Sequence, residues 1–456
     1  MREYLLTLCI TAAVTYLLTG PVRKFAIVAG AMPEIRARDV HREPTPRLGG
    51  IAMFLGLCAG LLVAAHLTNL NEVFEKSNEP RALLSGAALI WLLGVLDDKF
   101  EIDALLKLGA QMIAAGVMIL QGLTILWLPI PGIGTVAVTP WQGNLITVAL
   151  VVITINAVNF VDGLDGLAAG MVCIAATAFF LYSYRLWYGY GAEAAAPATL
   201  FSAVLIGMCL GFLPHNMHPA RIFMGDSGSM LIGLVLAASA VSVTGQLDVE
   251  ALNVNLGGDR ETTHAMLPVF IPLLMPLTII AVPMADLILA IVRRTWRGQS
   301  PFAADRGHLH HRLLEIGHSH SRAVLIMYFW SALIAFGALA YSVNSASMWI
   351  VLGVVLLSAI GLVLLLLPRF RPRTPRWMEA FVPPRYRRRR GAGGAVASGA
   401  GPEVAGDAST AAAAAEDVRE RTPVAAGVAG ANGATAVGHR ARLGGDRRAP
   451  ADADAR

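Results

Sequence analysis

Three short stretches of this chain gather groups suited to a cation and a phosphate. The first is Asp97-Asp98. Adjacent carboxylates repel, and at the edge of an apolar run that repulsion is costly unless a cation or phosphate chemistry uses it. A helix ending in solvated charge is the plainer reading. The second stretch is Asn156-Ala-Val-Asn159-Phe-Val-Asp162-Gly-Leu-Asp165-Gly. Its spacing of three predicts that Asn159, Asp162 and Asp165 stack on one side of a helical turn. Gly163 and Gly166 would let backbone or ligand come close. Oxygen-only donors suit Mg²⁺, with Mn²⁺ as a substitute, whereas zinc would ask for His or Cys. Helix capping by Asn and Asp is the structural alternative. The third is Gly225-Asp226-Ser227-Gly228-Ser229, a carboxylate between glycines just before another apolar run. It fits an ordinary N-cap as well as a phosphate at a helix N-terminus.

A fourth cluster is basic. Arg306, His308, His310, His311 and Arg312 offer no i,i+4 histidine pair and no neighbouring cysteine, so a cationic lip that grips a diphosphate accounts for them better than zinc. His318 and His320 read as loop residues. Thr45-Pro-Arg47-Leu-Gly49-Gly50 reads mainly as a turn that starts a helix, with Arg47 adding positive charge to the same side. Asp286, inside an apolar run, reads as half of an internal ion pair with Arg293.

The elements that must position these groups are set by hydropathy. The chain has 456 residues, 55% of them hydrophobic and only 15% charged, and its mean hydropathy is +0.60. Soluble domains carry about 25% charged residues. Apolar runs predict about eleven spans of a bilayer core roughly 30 Å thick, near 4–20, 49–67, 82–96, 104–122, 144–160, 164–183, 197–214, 229–245, 266–292, 323–343 and 347–367. Without period-two alternation, such runs form helices, because lipid leaves the backbone no other partner than its own. The fold class expected is an all-α polytopic membrane protein. The first run lacks a small-residue cleavage site and reads as a retained helix. Cys9, Cys58, Cys173 and Cys209 all sit in apolar runs and read as small core hydrophobes.

Basic residues set the orientation. The links after the first and ninth spans and the segment after the last are rich in Arg, whereas the alternate links hold little beyond Lys76, Arg81, Arg185 and Arg260. This predicts an N-terminus outside, a C-terminus in the cytoplasm, and all four polar clusters on the cytoplasmic side. Outside, residues 129–140 alternate between turn residues and predict a small β-hairpin. The expected domains are a membrane-embedded unit over 1–367, a basic juxtamembrane segment over 368–390 and an Ala/Gly-rich disordered tail over 391–456. The block Arg385 to Arg390 suits anionic lipid headgroups, each charge being worth about 1 kcal/mol near the surface, rather than nucleic acid.

Taken together, Asp97-Asp98, Asn156-x-x-Asn159-x-x-Asp162-Gly-x-Asp165-Gly, Gly225-Asp226-Ser227-Gly228-Ser229 and His308-x-His310-His311 resemble the polyprenyl-phosphate N-acetylhexosamine-1-phosphate transferases. The resemblance runs in order over residues 1 to 367. The run Ala304 to Leu314 looks like the bacterial branch that uses UDP-N-acetylglucosamine (UDP-GlcNAc), since the three consecutive histidines of the cell-wall branch are absent. The resemblance implies transfer of GlcNAc-1-phosphate to polyprenyl phosphate. It implies that Asp226 and Asn159 hold Mg²⁺, that Asp97 orients or deprotonates the lipid phosphate with Asp98 in support, and that Lys107 contacts phosphate. Asn156, Asp162 and Asp165 would bind the nucleotide or shape the loop, and Arg306, His308, His310 and His311 would grip the diphosphate or sugar. The implied partners are UDP-GlcNAc, polyprenyl phosphate and membrane lipids, with a second copy of the chain admissible.

A transporter is the rival from another class. It should show repeated halves and discontinuous helices at the membrane midplane. The chain has no visible repeat, and its acidic residues sit at the ends of spans. A scaffold protein would not need so many carboxylates on one face.

Overall fold

A computed structural model describes residues 1–32, 45–100, 102–130, 134–246, 295, 320–343 and 348–366. Among the described residues, seven helices are long and apolar enough to cross a membrane: Arg2–Val28, Glu79–Phe100, Pro140–Val161, Leu167–Gly189, Glu193–Asn216, Gly225–Gly245 and His320–Tyr341. Three shorter apolar helices, Gly49–Ala64, Ala104–Leu120 and Met348–Gly361, join them. The all-α membrane architecture expected from hydropathy is therefore present. The span expected at 266–292, the ion pair of Asp286, and the segments 368–390 and 391–456 lie outside the described residues.

The helices are labelled in chain order as α1 (Arg2–Val28), α2 (Gly49–Ala64), α3 (Asn71–Lys76), α4 (Glu79–Phe100), α5 (Ala104–Leu120), α6 (Pro140–Val161), α7 (Leu167–Tyr184), α8 (Ala196–Asn216), α9 (Gly225–Gln246), α10 (His320–Val343) and α11 (Met348–Leu366). The most apolar stretch of α9 is entirely buried, whereas only 28% of the corresponding stretch of α1 is. So α9 is the axis of the bundle, packed against α4, α6, α8 and α2.

Small residues let the helices approach. Thr7, Thr11, Thr15 and Thr19 form a buried stripe along α1. It lies against Gly56 and Gly60 of α2 and Gly207 and Gly211 of α8, where an added Cβ would collide with α1. Thr11 and Thr19 donate their hydroxyls to carbonyls one turn back, at 2.8 and 2.6 Å. This is the small-residue packing that works in lipid, where apolar surface alone gives helices no reason to associate.

The expected hairpin exists two residues earlier than the sequence placed it. Strands β1 (Trp127–Ile130) and β2 (Gly134–Ala137) pair antiparallel. Pro140, expected to close the hairpin, instead opens α6, where its missing N–H costs nothing. Thr139 N donates to Gln142 Oε1 at 3.1 Å and fixes that start.

Candidate active site

Four helices bring their polar ends to one place. Asp97 sits near the C-terminal end of α4, Lys107 in the first turns of α5, Asn159 near the end of α6 and Asp226 at the start of α9. Asp97 Oδ1 accepts from Ile102 N at 2.7 Å, which closes the turn from α4 into α5 and aims Lys107 back at the carboxylates. Lys107 Nζ then bridges Asp97 Oδ2 at 2.6 Å and Asp226 Oδ2 at 3.0 Å. Asn159 Nδ2 donates to Asp226 Oδ1 at 3.1 Å and to Ser229 Oγ at 2.9 Å. Residues more than a hundred positions apart in the chain thus form one cluster. Charge explains its shape: two carboxylates this close need a cation between them, and Lys107 is that cation.

Asp98 does something different from its neighbour. Its carboxylate accepts from Asp226 N at 2.8 Å, Ser227 N at 3.2 Å and Ser227 Oγ at 2.7 Å. Those N–H groups belong to the open N-terminus of α9, whose first donors lack partners within the helix. Asp98 is therefore an N-cap supplied from another helix, where the sequence pattern had offered Asp226 or Ser227 as the cap. The contact needs glycine twice. A Cβ at Gly225, which has φ +70°, would run into the Asp98 carboxylate, and one at Gly94 would run into Ser227 of α9.

The second stretch does not stack as its spacing predicted. Helix α6 stops at Val161, Asp162 leaves helical geometry with ψ 49°, and Gly166 takes φ 75° as α7 begins. The chain turns at Asp162 and again at Gly166, so Asn159, Asp162 and Asp165 face different partners. Asn156, one turn before Asn159, donates to Gln111 Oε1 at 2.6 Å. Asp162 is half-buried, and its carboxyl is pushed up to about 8, first by burial and then by the nearby charges of Asp226 and Asp98, with Arg47 working against them. Asp165 is buried instead. Its Oδ2 accepts from His218 Nδ1 at 2.7 Å and from Ala220 N at 3.1 Å, and its own N–H meets His320 Nε2 at 3.1 Å. Ligand atoms of Asp165, His218 and His320 lie within 4.8 Å of one another.

His320, expected in a loop, is the buried first residue of α10. Nothing in its local pattern announced this, because its partner lies 155 positions away. Gln111 and His218 were also missed: an amide inside an apolar helix and a histidine before proline carry no spacing signal. The Thr45 to Gly50 turn does more than start α2. Gly49 N and Gly50 N donate to Phe223 O and Met224 O at 3.0 and 2.9 Å, and Phe223 N to Pro46 O at 2.9 Å. Arg306, His308, His310 and His311 lie outside the described residues.

The donor set around Asp226 suits a hard divalent cation. Asp226 offers a carboxylate with 29% of the side chain exposed, beside it Asn159 has an amide oxygen to offer, and the exposed edge leaves room for water to complete a coordination shell.

Residues 81–244 match the sequence model of glycosyl transferase family 4, which spans α4 to α9 and so the whole cluster. A decaprenyl-phosphate N-acetylglucosaminephosphotransferase of Mycobacterium tuberculosis (strain ATCC 25618 / H37Rv) is 46% identical over 341 residues, 74% of this chain and 82% of the relative. One from Mycobacterium leprae (strain TN) is 43% identical over 341 residues, 74% of this chain and 83% of the relative. The undecaprenyl-phosphate alpha-N-acetylglucosaminyl 1-phosphate transferase of Escherichia coli (strain K12) is 28% identical over 346 residues, 74% of this chain and 83% of the relative. The chain belongs to the polyprenyl-phosphate N-acetylglucosamine-1-phosphate transferase family. The transferase is a multi-pass membrane enzyme, and the resemblance read from its four motifs is borne out at the level of the family.

Proposed function

We propose that this transferase moves GlcNAc-1-phosphate from UDP-GlcNAc to deca- or undecaprenyl phosphate on the cytoplasmic face of the membrane. The observation that carries it is the Asp97–Lys107–Asp226–Asn159 cluster, in a chain whose relatives bear the names of that reaction. An oxygen of the lipid phosphate attacks the β-phosphorus of the nucleotide sugar. The new P–O bond forms as the bond from the β-phosphorus to the bridging oxygen breaks, and UMP leaves with that oxygen. The products are UMP and GlcNAc-diphosphate-polyprenol.

Two anionic substrates must be brought together, so charge neutralisation and positioning supply most of the rate. Asp226 and Asn159 would hold Mg²⁺, or Mn²⁺ in its place, which supplies positive charge to the diphosphate. Lys107 pairs with Asp226 Oδ2 at 3.0 Å; a cation held by Asp226 would compete for that carboxylate and free the ammonium to turn to phosphate. Asp97 is engaged by both Lys107 and Ile102 N, which suits a positioning role. A phosphate monoester, with a second pKa near about 6, is already largely dianionic at neutral pH, so no base is required. A single direct displacement follows. Arg306, His308, His310 and His311 supply further positive charge to the donor, and Asp162 stands next to the cluster, where its carboxyl meets the nucleotide.

The test is UMP release by purified protein with polyprenyl phosphate and a panel of UDP-sugars. UDP-GlcNAc should be turned over at least about tenfold faster than UDP-GalNAc or UDP-MurNAc-pentapeptide. Equal rates on another donor would overturn the sugar assignment, and a phospho-sugar adduct trapped on Asp97 would overturn the single displacement.

A further inference from the structure

The end of α4 away from Asp97 holds another enclosed carboxyl. Glu79 opens α4, about 27 Å from Asp97 by helix rise, and lines a cavity of about 300 Å³. Separate segments of the chain build that cavity. Tyr4 comes from α1, Glu72 and Lys76 from α3, Trp187 from the turn after α7, and Glu193 from the turn before α8.

Charge is distributed unevenly around it. Lys76 Nζ pairs with Glu72 at 3.0 Å and with Glu193 at 3.6 Å, and 59% of its side chain is exposed. The lysine of the cavity is therefore engaged at the rim. Glu79 is only 7% exposed. Its Oε2 accepts from Ser242 Oγ of α9, and among the described residues no cation and no second donor reaches the carboxyl. Burying a carboxylate is costly unless a cation pairs with it. Three carboxyls against one lysine make the cavity a receptor for positive charge.

The walls decide what kind of cation fits. Tyr4 and Trp187 meet edge to face, with ring centroids 5.5 Å apart and planes at 71°. Trp187 sits on a π-helical turn, Arg185–Gly189, a rare geometry that is frequent at functional sites. Aromatic rings beside a carboxylate attract organic cations. Among the described residues the three glutamates do not converge on one point, as a metal ion would need.

We propose that this cavity binds a small organic ammonium ion, with the charged nitrogen at Glu79 and the carbon chain along Tyr4 and Trp187. Its volume lies at the lower limit of ligand pockets, which run from roughly 300 to 1,000 Å³. That size suits a primary alkylamine or the ethanolamine headgroup of a phospholipid. The site stands outside the reaction and is independent of the transferase reading.

Pentylamine, pentanol and pentanoate share a carbon chain and differ in charge, so they probe the site directly. Binding of each to the full chain in dodecylmaltoside micelles is measured by calorimetry, with empty micelles as the blank. Pentylamine should bind at least about tenfold more tightly than pentanol, and pentanoate more weakly than either. Glu79→Gln keeps an acceptor for Ser242 and loses the charge. It should lower pentylamine affinity about tenfold, to the level of pentanol, with UMP release within about twofold of native. Trp187→Leu should weaken pentylamine by about threefold. Equal affinities for pentylamine and pentanol in the native protein would overturn the proposal, as would native pentylamine affinity in Glu79→Gln. If Glu79→Gln does not fold, the comparison of the three ligands on the native protein decides. Added phosphatidylethanolamine, with phosphatidylglycerol as the control, separates the two sources. A roughly tenfold loss of apparent pentylamine affinity with the first lipid alone assigns the site to the headgroup, and an unchanged affinity assigns it to a soluble amine.

Discussion

Helices α4 and α9 lie side by side and touch through polar groups at both ends, yet the two ends are built differently. At one end Asp97, Asp98 and Asp226 share a lysine, an amide and the open N-terminus of α9. About 27 Å away by helix rise, Glu79 at the start of α4 accepts a hydrogen bond from the Ser242 hydroxyl of α9. That carboxyl also lines a cavity of about 300 Å³ with Tyr4, Lys76 and Trp187. The first end concentrates charge and keeps part of it exposed. The second buries a single carboxyl against a hydroxyl. One pair of helices thus carries a reactive end and a structural end: near Glu79 the charged groups pair on the exposed rim, Lys76 with Glu72 and Glu193, whereas at the other end they pair between the helices themselves.

Substitutions at the two ends should behave in opposite ways. Asp226→Ala removes the centre of the charged end and should lower kcat by about 10³-fold or more; UMP release at the native rate with unchanged Mg²⁺ dependence would erase the distinction. Lys107→Met leaves Asp97 and Asp226 facing each other without a cation. Activity should fall about 100-fold, and added Mg²⁺ should raise the melting temperature of this variant more than that of the native protein.

The turn beside the charged end should show its charge in a pH series. Asp162 holds its proton up to about 8 in the folded, metal-free protein, whereas an ordinary carboxyl releases it near 3.8. Between those values the unfolded chain gives up a proton that the folded chain keeps, so stability declines as pH rises. Asp162→Asn should remove that decline, and the melting-temperature advantage of the variant should grow from pH 5 to pH 8. A constant difference would mean that the carboxyl is charged in both states. At the structural end, Glu79→Gln keeps an acceptor for Ser242, and activity should stay within about twofold. A large loss there would make the second end functional too.

How much of this was legible in the sequence follows from the range of the forces involved. Apolar runs and their turns are local, so the described helices and the hairpin appear close to where hydropathy placed them. The residue types at the charged end were also legible, because adjacent carboxylates and glycine-flanked acids are conspicuous in apolar surroundings. Partnerships were not. Asp98 reads as a second copy of Asp97, yet one caps α9 and the other pairs with Lys107, a difference set by which side of α4 meets Gly225. The spacing of Asn159, Asp162 and Asp165 argued for a helix, and the turn from Asp162 to the left-handed Gly166 overrode it. His320 looked like loop because its partner is supplied by another part of the chain.

The burial of the whole apolar length of α9 has a consequence for how the enzyme is made. Ser227, Ser229, Ser239, Ser242 and Thr244 are all shielded inside the bundle, so this segment is poorly suited to waiting alone in lipid. Its principal neighbours, α2, α4, α6 and α8, all precede it in the chain. A ribosome making the protein from its N-terminus therefore finishes the walls of the slot before the segment that fills it. Assembly order and chain order agree, and the helix carrying Asp226 arrives after the residues that receive it are already present.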